Sequence, residues 1–263
     1  MARSLTVTVG VSHETASGRV ELPVPGVGGA HWIVGGSSGS GKTQFLNAVI
    51  AQLASMPNLA IAISDPALVD YEPWWRERPS CVALGPDGAL PLLDLVEAEM
   101  MRRFPLARAL RQRTMDVTAD CPRVVAIFDE VSLFSDQKGA HGRMASLAAV
   151  GRKVNIGCVF STQVPSAPVL PTKVKAQCTV RIGFRCKDVH QVDAVFDTQR
   201  VPANKIPPTL PGVAFLDYES LVQFRAPLIT DEECMKVDAD TAHLRPDLGW
   251  PRVIDPLMEG VRV

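Results

Sequence analysis

The stretch Gly36-Ser37-Ser38-Gly39-Ser40-Gly41-Lys42-Thr43 limits the folds open to this chain more than any other. It matches G-x-x-x-x-G-K-[ST] at every fixed position. Glycines let the backbone turn so that successive N–H groups point inward, forming an anion cradle at a helix N-terminus. Lys42 supplies a point charge for β and γ phosphates, and the Thr43 hydroxyl is suited to ligate Mg²⁺. The flanks agree with this reading. The apolar run His31-Trp32-Ile33-Val34 precedes the loop as a strand. After it, Phe45, Leu46, Val49, Ile50 and Leu53 fall on one face of a helix from Lys42 to about Ala54.

Such a loop needs an acid at the end of a buried strand. Val124-Val125-Ala126-Ile127-Phe128 ends in Asp129-Glu130. Asp129 is expected to hold Mg²⁺ through water and Glu130 to polarise an attacking water. Ser161-Thr162-Gln163 closes the next strand, Ile156 to Phe160. If the two strands are neighbours, Gln163 lies where a polar side chain senses the γ-phosphate. Arg152 sits between a helix from Gly142 and that strand. It reads either as a guanidinium reaching a neighbouring subunit's nucleotide or as a surface or DNA-facing arginine.

Other elements follow the same alternation. Leu59 to Ile63 and Thr179 to Phe184 read as strands, and Asp188 to Asp197 as a helix. Pro91 to Arg113 is helix-like, with Pro91 in a first turn and a kink or break expected at Pro105. Leu5 to Val9 and Arg19 to Val24 read as leading strands, and Val213–Leu216 with Leu221–Phe224 as a closing hairpin. Alternating strands and helices predict an α/β fold with a mostly parallel sheet.

The formal charge of −1 hides a division. Arg102 to Lys205 carries 17 Lys and Arg against 8 Asp and Glu, net +9; the rest carries 10 against 20, net −10. A basic face for a polyanion and ordinary clustering of solvated charge both fit this pattern. Lys173, Lys175, Arg181, Arg185 and Lys187 are its densest part and are expected to line a channel gripping a phosphate backbone without reading sequence. Six cysteines lack C-x-x-C spacing and five histidines lack zinc-ligand spacing, so reduced thiols in a cytoplasmic protein are expected, with no histidine metal site. No apolar stretch approaches the ~18 residues of a membrane span. Tyr71, Trp74 and Trp75 read as packing rather than as base-stacking groups.

Together, Gly36 to Thr43, Val124 to Glu130, Gly151-Arg152-Lys153 with Ile156, Ser161-Thr162-Gln163 and Val180 to Phe184 resemble, in order, the motor domain of FtsK/SpoIIIE DNA translocases. The likeness runs from about Ser17 to Glu233 and includes Glu99 to Phe104 and Pro211 to Leu216. It implies a RecA-like P-loop NTPase core and a homo-hexameric ring. It also implies that ATP hydrolysis with Mg²⁺ moves double-stranded DNA through the pore. By position Arg152 looks like the arginine finger of related conjugative coupling ATPases. On this reading residues 1–233 are the motor domain, with a β-rich lead-in over 1–30. Residues 234–263 are an acidic, proline-punctuated tail. With no membrane segment of its own, the chain would rely on a membrane-anchored partner for any anchoring. Thr162-Gln163-Val164-Pro165 departs from the family's Thr-Gln-Arg-Pro, and Asp65-Pro66-Ala67 from its Asp-Pro-Lys. Two other functions share these residues: a type VII secretion-like ATPase acting on protein, and a nucleotide-switched assembly module without motor activity.

Overall fold

The computed structural model describes residues 5–256 apart from Gly29. Among the described residues one sheet of eleven strands organises the fold, in the order β11-β5-β4-β6-β7-β3-β8-β9-β10-β1-β2. These are β1 (Thr6–Val11), β2 (Arg19–Pro23), β3 (Trp32–Gly35), β4 (Leu59–Asp65), β5 (Cys81–Leu84) and β6 (Arg123–Phe128). Then follow β7 (Ile156–Thr162), β8 (Val180–Phe184), β9 (Val213–Asp217), β10 (Leu221–Arg225) and β11 (Val253–Ile254). From β11 to β8 every pairing is parallel; from β8 to β2 every pairing is antiparallel. The expected mostly parallel sheet and closing hairpin, β9–β10, are both present. The leading strands β1 and β2 extend the sheet beyond that hairpin.

The central strands are apolar throughout because both faces are covered. Trp32 and Val34 of β3 join Phe45, Val49 and Leu53 of α1 (Lys42–Ala54) in one core. Ile33 joins the other core, with Leu92, Val96 and Met100 of α2 (Gly85–Ala109) and Met144 and Leu147 of α3 (Ala140–Val150). Residues of β4 and β6 divide by the same alternation. A smaller apolar cluster joins α5 (Val189–Phe196) to Val213 and Phe215 of β9. A short α4 (Thr172–Lys175) precedes β8.

Two expectations need correction, and one strand gave no readable signal. No break occurs at Pro105: α2 begins at Gly85, before Pro91, and runs through both prolines to Ala109. An interior proline costs about 3 kcal/mol locally. Here tertiary anchoring outweighs it. Fully buried Arg103 pairs with Glu99 at 2.6 Å and donates to the carbonyls of Pro122 and Val154 at 2.8 and 2.9 Å. The strand β5 went unread, since four residues are too few to show periodicity. The acidic segment after Glu233 is also built into the fold. Thr230 and Glu233 form a reciprocal cap on α6 (Asp231–Asp240). Asp238 accepts from the backbone N–H groups of Glu77 and Arg78 at 2.9 and 2.8 Å, and β11 pairs with β5. Residues 257–263 of that segment lie outside the described residues.

Candidate nucleotide site

Because β3, β4, β6, β7 and β8 are parallel, their C-terminal ends meet at one end of the sheet, where open α/β sheets bind ligands. The phosphate loop leaves β3 there. β7 lies between β3 and β6, so Gln163 stands between the loop and Asp129-Glu130. That adjacency is the condition set for its sensing role. A cavity of about 530 Å³ opens at this point, lined by Ser37 to Gln44, Asp70, Asp129, Glu130, Gln163, Pro211 and Leu228. Its size suits a small-molecule ligand.

The loop is shaped to receive an anion. Gly36 and Gly41 have φ of 148° and 102°, a region that side chains rarely enter. A Cβ on Gly36 would meet Phe184 at 2.7 Å, and one on Gly41 would meet the Gly212 nitrogen at 2.8 Å. α1 starts with no side-chain cap and no acid in its first turn, which leaves its first N–H groups and positive dipole end for a ligand. Lys42 Nζ donates to the Gly36 carbonyl at 3.0 Å. Ser40 Oγ is buried and has no hydrogen-bond partner among the described residues. A glycine cradle, an uncapped helix end and an orphaned buried hydroxyl together fit a bound phosphate chain.

Opposite the loop, both oxygens of Asp129 are held. Oδ1 accepts from the Glu130 N–H at 2.9 Å and Oδ2 from the Tyr71 hydroxyl at 2.8 Å. Glu130 adopts φ of 40°, a left-handed conformation uncommon outside glycine and often found at functional sites. Its Oε1 accepts from Ser132 Oγ, Thr162 Oγ1 and the Gln163 N–H at 2.5, 3.1 and 3.2 Å. Asp70 adds a third carboxylate to the cavity. Burial, with Asp129 close by, pushes its carboxyl above the usual range, although Lys42 opposes this. One carboxylate plus the Thr43 hydroxyl suits Mg²⁺, which is held by few protein ligands beside substrate phosphates. Among the described residues no group of three His, Cys, Asp or Glu forms a metal cage.

Sequence reading missed Asp70, Tyr71 and Gln191. Gln191, almost fully buried on α5, accepts from Ser37 Oγ at 3.1 Å and donates to the Gln163 carbonyl. It therefore ties the phosphate loop to the end of β7. No local signal marks Gln191. Asp70-Tyr71 shortly after Asp65-Pro66 is the one cue for the other two. The packing reading of Tyr71 and Trp74 holds, since both are fully buried, but Tyr71 also reaches the site.

Arg152 lies away from this cavity. It is exposed just before β7 begins, and the strand's length sets it roughly 20 Å from Thr162. It therefore has no part in this chain's own cavity. The basic cluster is also divided, against expectation. Lys173 and Lys175 precede β8, whereas Arg185 and Lys187 follow it, roughly 15 Å away. Lys175 is buried and pairs with Asp197 at 2.7 Å, and Arg181 pairs with the same carboxylate. Arg185 borders the phosphate loop: its guanidinium donates to the Ser38 carbonyl at 3.3 Å, and its carbonyl accepts from the Ser37 N–H at 2.8 Å. Lys173 and Lys187 are exposed. All six cysteines are free and buried, and no helix among the described residues is long and apolar enough to cross a membrane.

Comparison with known proteins agrees with this architecture. The model of the FtsK/SpoIIIE family matches residues 3–151. The DNA translocase FtsK of Helicobacter pylori (strain J99) is 25% identical over 228 residues, which cover 79% of this chain and 26% of that protein. The chain spans about a quarter of the length of the curated relatives it matches. Among solved structures, the pCW3 conjugation coupling protein TcpA, in monomer form with ATPγS, aligns with a TM-score of 0.73 and 21% identity. That alignment covers 90% of this chain and 70% of TcpA. ATPases 2 and 3 of EssC from Geobacillus thermodenitrificans align with a TM-score of 0.76 and 14% identity, over 93% and 49% of the two chains.

Proposed function

Because the chain belongs to the FtsK/SpoIIIE family, we propose that it is an ATP-hydrolysing motor that moves double-stranded DNA in the cytoplasm, working as a homo-hexamer. The observation that carries this reading is the single cavity joining an uncapped phosphate loop to Asp129, Glu130 and Gln163. Lys42 exchanges its bond to the Gly36 carbonyl for the β and γ phosphates of ATP. Thr43 and Asp129 would hold Mg²⁺, which when bound neutralises charge developing on the phosphates. Glu130 polarises the attacking water and takes its proton through Oε2, a reading supported by the bonds it accepts falling on Oε1. Gln163 reports the γ-phosphate from the end of β7. Arg152 completes the site of a neighbouring subunit, where a guanidinium offsets charge in the transition state.

ATPase rate with and without linear duplex DNA, measured beside a solution mass, tests this reading. Stimulation by DNA together with a nucleotide-dependent ring is expected. DNA-insensitive turnover would reject the DNA cargo, and a protein substrate that stimulated it would put the chain with secretion ATPases instead.

A further inference from the structure

Tyr71 belongs to no part of the phosphate-loop pattern, yet it spans two strand ends of the site. Its backbone N–H donates to Asp65 Oδ2 at 3.0 Å at the end of β4, and its hydroxyl donates to Asp129 Oδ2 at 2.8 Å just past β6. A carboxylate only accepts, so the phenol is the donor. The turn that carries it is fixed independently. Trp74 Nε1 donates to Asn47 Oδ1 on α1 at 2.9 Å. Tyr71 and Trp74 are both fully buried. With the Glu130 N–H on Oδ1 at 2.9 Å, Asp129 has one donor on each oxygen and a free lone pair on each. Turning its carboxylate would break both bonds.

We propose that Tyr71 is a positioning residue for the metal centre: its hydroxyl locks the Asp129 carboxylate in the orientation that receives a hydrated divalent cation, and so sets metal affinity rather than nucleotide affinity. The proposal rests on the reading of Asp129 as a magnesium-holding acid. Groups that orient a metal-binding carboxylate are worth 10- to 100-fold in metal affinity.

The test uses the full chain with Tyr71→Phe, which keeps the ring and removes only the hydroxyl. Binding of a fluorescent ATP analogue in EDTA is expected to stay within about twofold of wild type. The Mn²⁺ concentration that half-saturates the protein–analogue complex, read by electron paramagnetic resonance, is expected to rise roughly tenfold. Asp129→Asn should shift the same curve, and adding Tyr71→Phe to it should shift it no further, since the two act as one unit. Trp74→Phe removes one anchor of the same turn but leaves the Tyr71 hydroxyl on Asp129, and should shift the Mn²⁺ curve by less than Tyr71→Phe does. A wild-type Mn²⁺ curve for Tyr71→Phe, full additivity with Asp129→Asn, or an equal shift in Trp74→Phe would each overturn the proposal. If Asp129→Asn alone leaves the curve unmoved, the underlying assignment of Asp129 fails instead.

Discussion

The two ends of the parallel strands treat charge in opposite ways. At the C-terminal end, Lys42, Asp129 and Glu130 border an open cavity and are held by neutral partners: a carbonyl, a phenol, hydroxyls and backbone N–H groups. At the N-terminal end, two carboxylates are each matched to a pair of cations. Asp197 takes both Lys175 and Arg181, and burial, which alone would raise its carboxyl, is outweighed by these cations so that it lies below the usual range. Glu99 takes both Arg102 and Arg103. One end is ready for a charged ligand; at the other, charge already serves the fold. Substitutions of Lys42, Asp129 or Glu130 should therefore cost activity, and substitutions within the Asp197 and Glu99 ion pairs should cost stability.

The largest effects should follow at the open end. Lys42→Ala is expected to abolish ATP binding, and Glu130→Gln to keep binding while lowering turnover by at least 100-fold. Unfolding by urea should change by less than about 1 kcal/mol in either. Normal hydrolysis by either variant would break the contrast.

His31, fully buried ahead of β3, tests the closed end next. Its Nδ1 accepts from the Cys158 N–H at 3.0 Å. Burial, aided by Arg152, holds its pKa down to about 4 against 6.5 for the free side chain. The unfolded chain thus binds more protons between those values. Stability from this group is complete above pH 6.5 and is lost as pH falls toward 4, by about 3 kcal/mol in all. His31→Gln should flatten urea midpoints over that window, and an unchanged slope would show that the imidazole is not kept neutral.

Asp197→Ala should be milder, because the carboxylate is half exposed. Stranding Lys175 and Arg181 is expected to cost about 1–2 kcal/mol in urea unfolding with ATPase activity retained. Smallest is the contribution of single exposed lysines to DNA binding. Lys173→Gln or Lys187→Gln should each lower the slope of log affinity against log salt by about 1. If only Lys187 responds, the DNA path runs along the nucleotide end; if only Lys173 responds, it runs along the other.

The ease of reading each part of the chain follows from the range of the forces involved. The phosphate loop and Asp129-Glu130 are local patterns whose spacing is dictated by the ligand, so they stood out in sequence. β3, β4, β6 and β7 stood out because burial on both faces demands unbroken apolar runs. Lys175 did not, since its partner Asp197 lies across β8 and no spacing rule links them. Tyr71 was hidden for a related reason: a buried aromatic looks like packing until the hydroxyl's partner is known. α2 crossed Pro105 because contacts from Arg103 to distant carbonyls outweigh a local cost. The acidic segment looked structureless because its order comes from Asp238 meeting the N–H groups of Glu77 and Arg78.

The pairing of β11 with β5 has a consequence for solubility. An apolar strand such as Cys81–Leu84 at the border of a sheet would offer unpaired backbone groups to any passing chain. The two residues of β11 occupy that position and are too few to act as a template themselves. Residues read as a tail thus act as a guard, and a chain cut after Asp240 would carry a sticky border while keeping every residue of its nucleotide cavity.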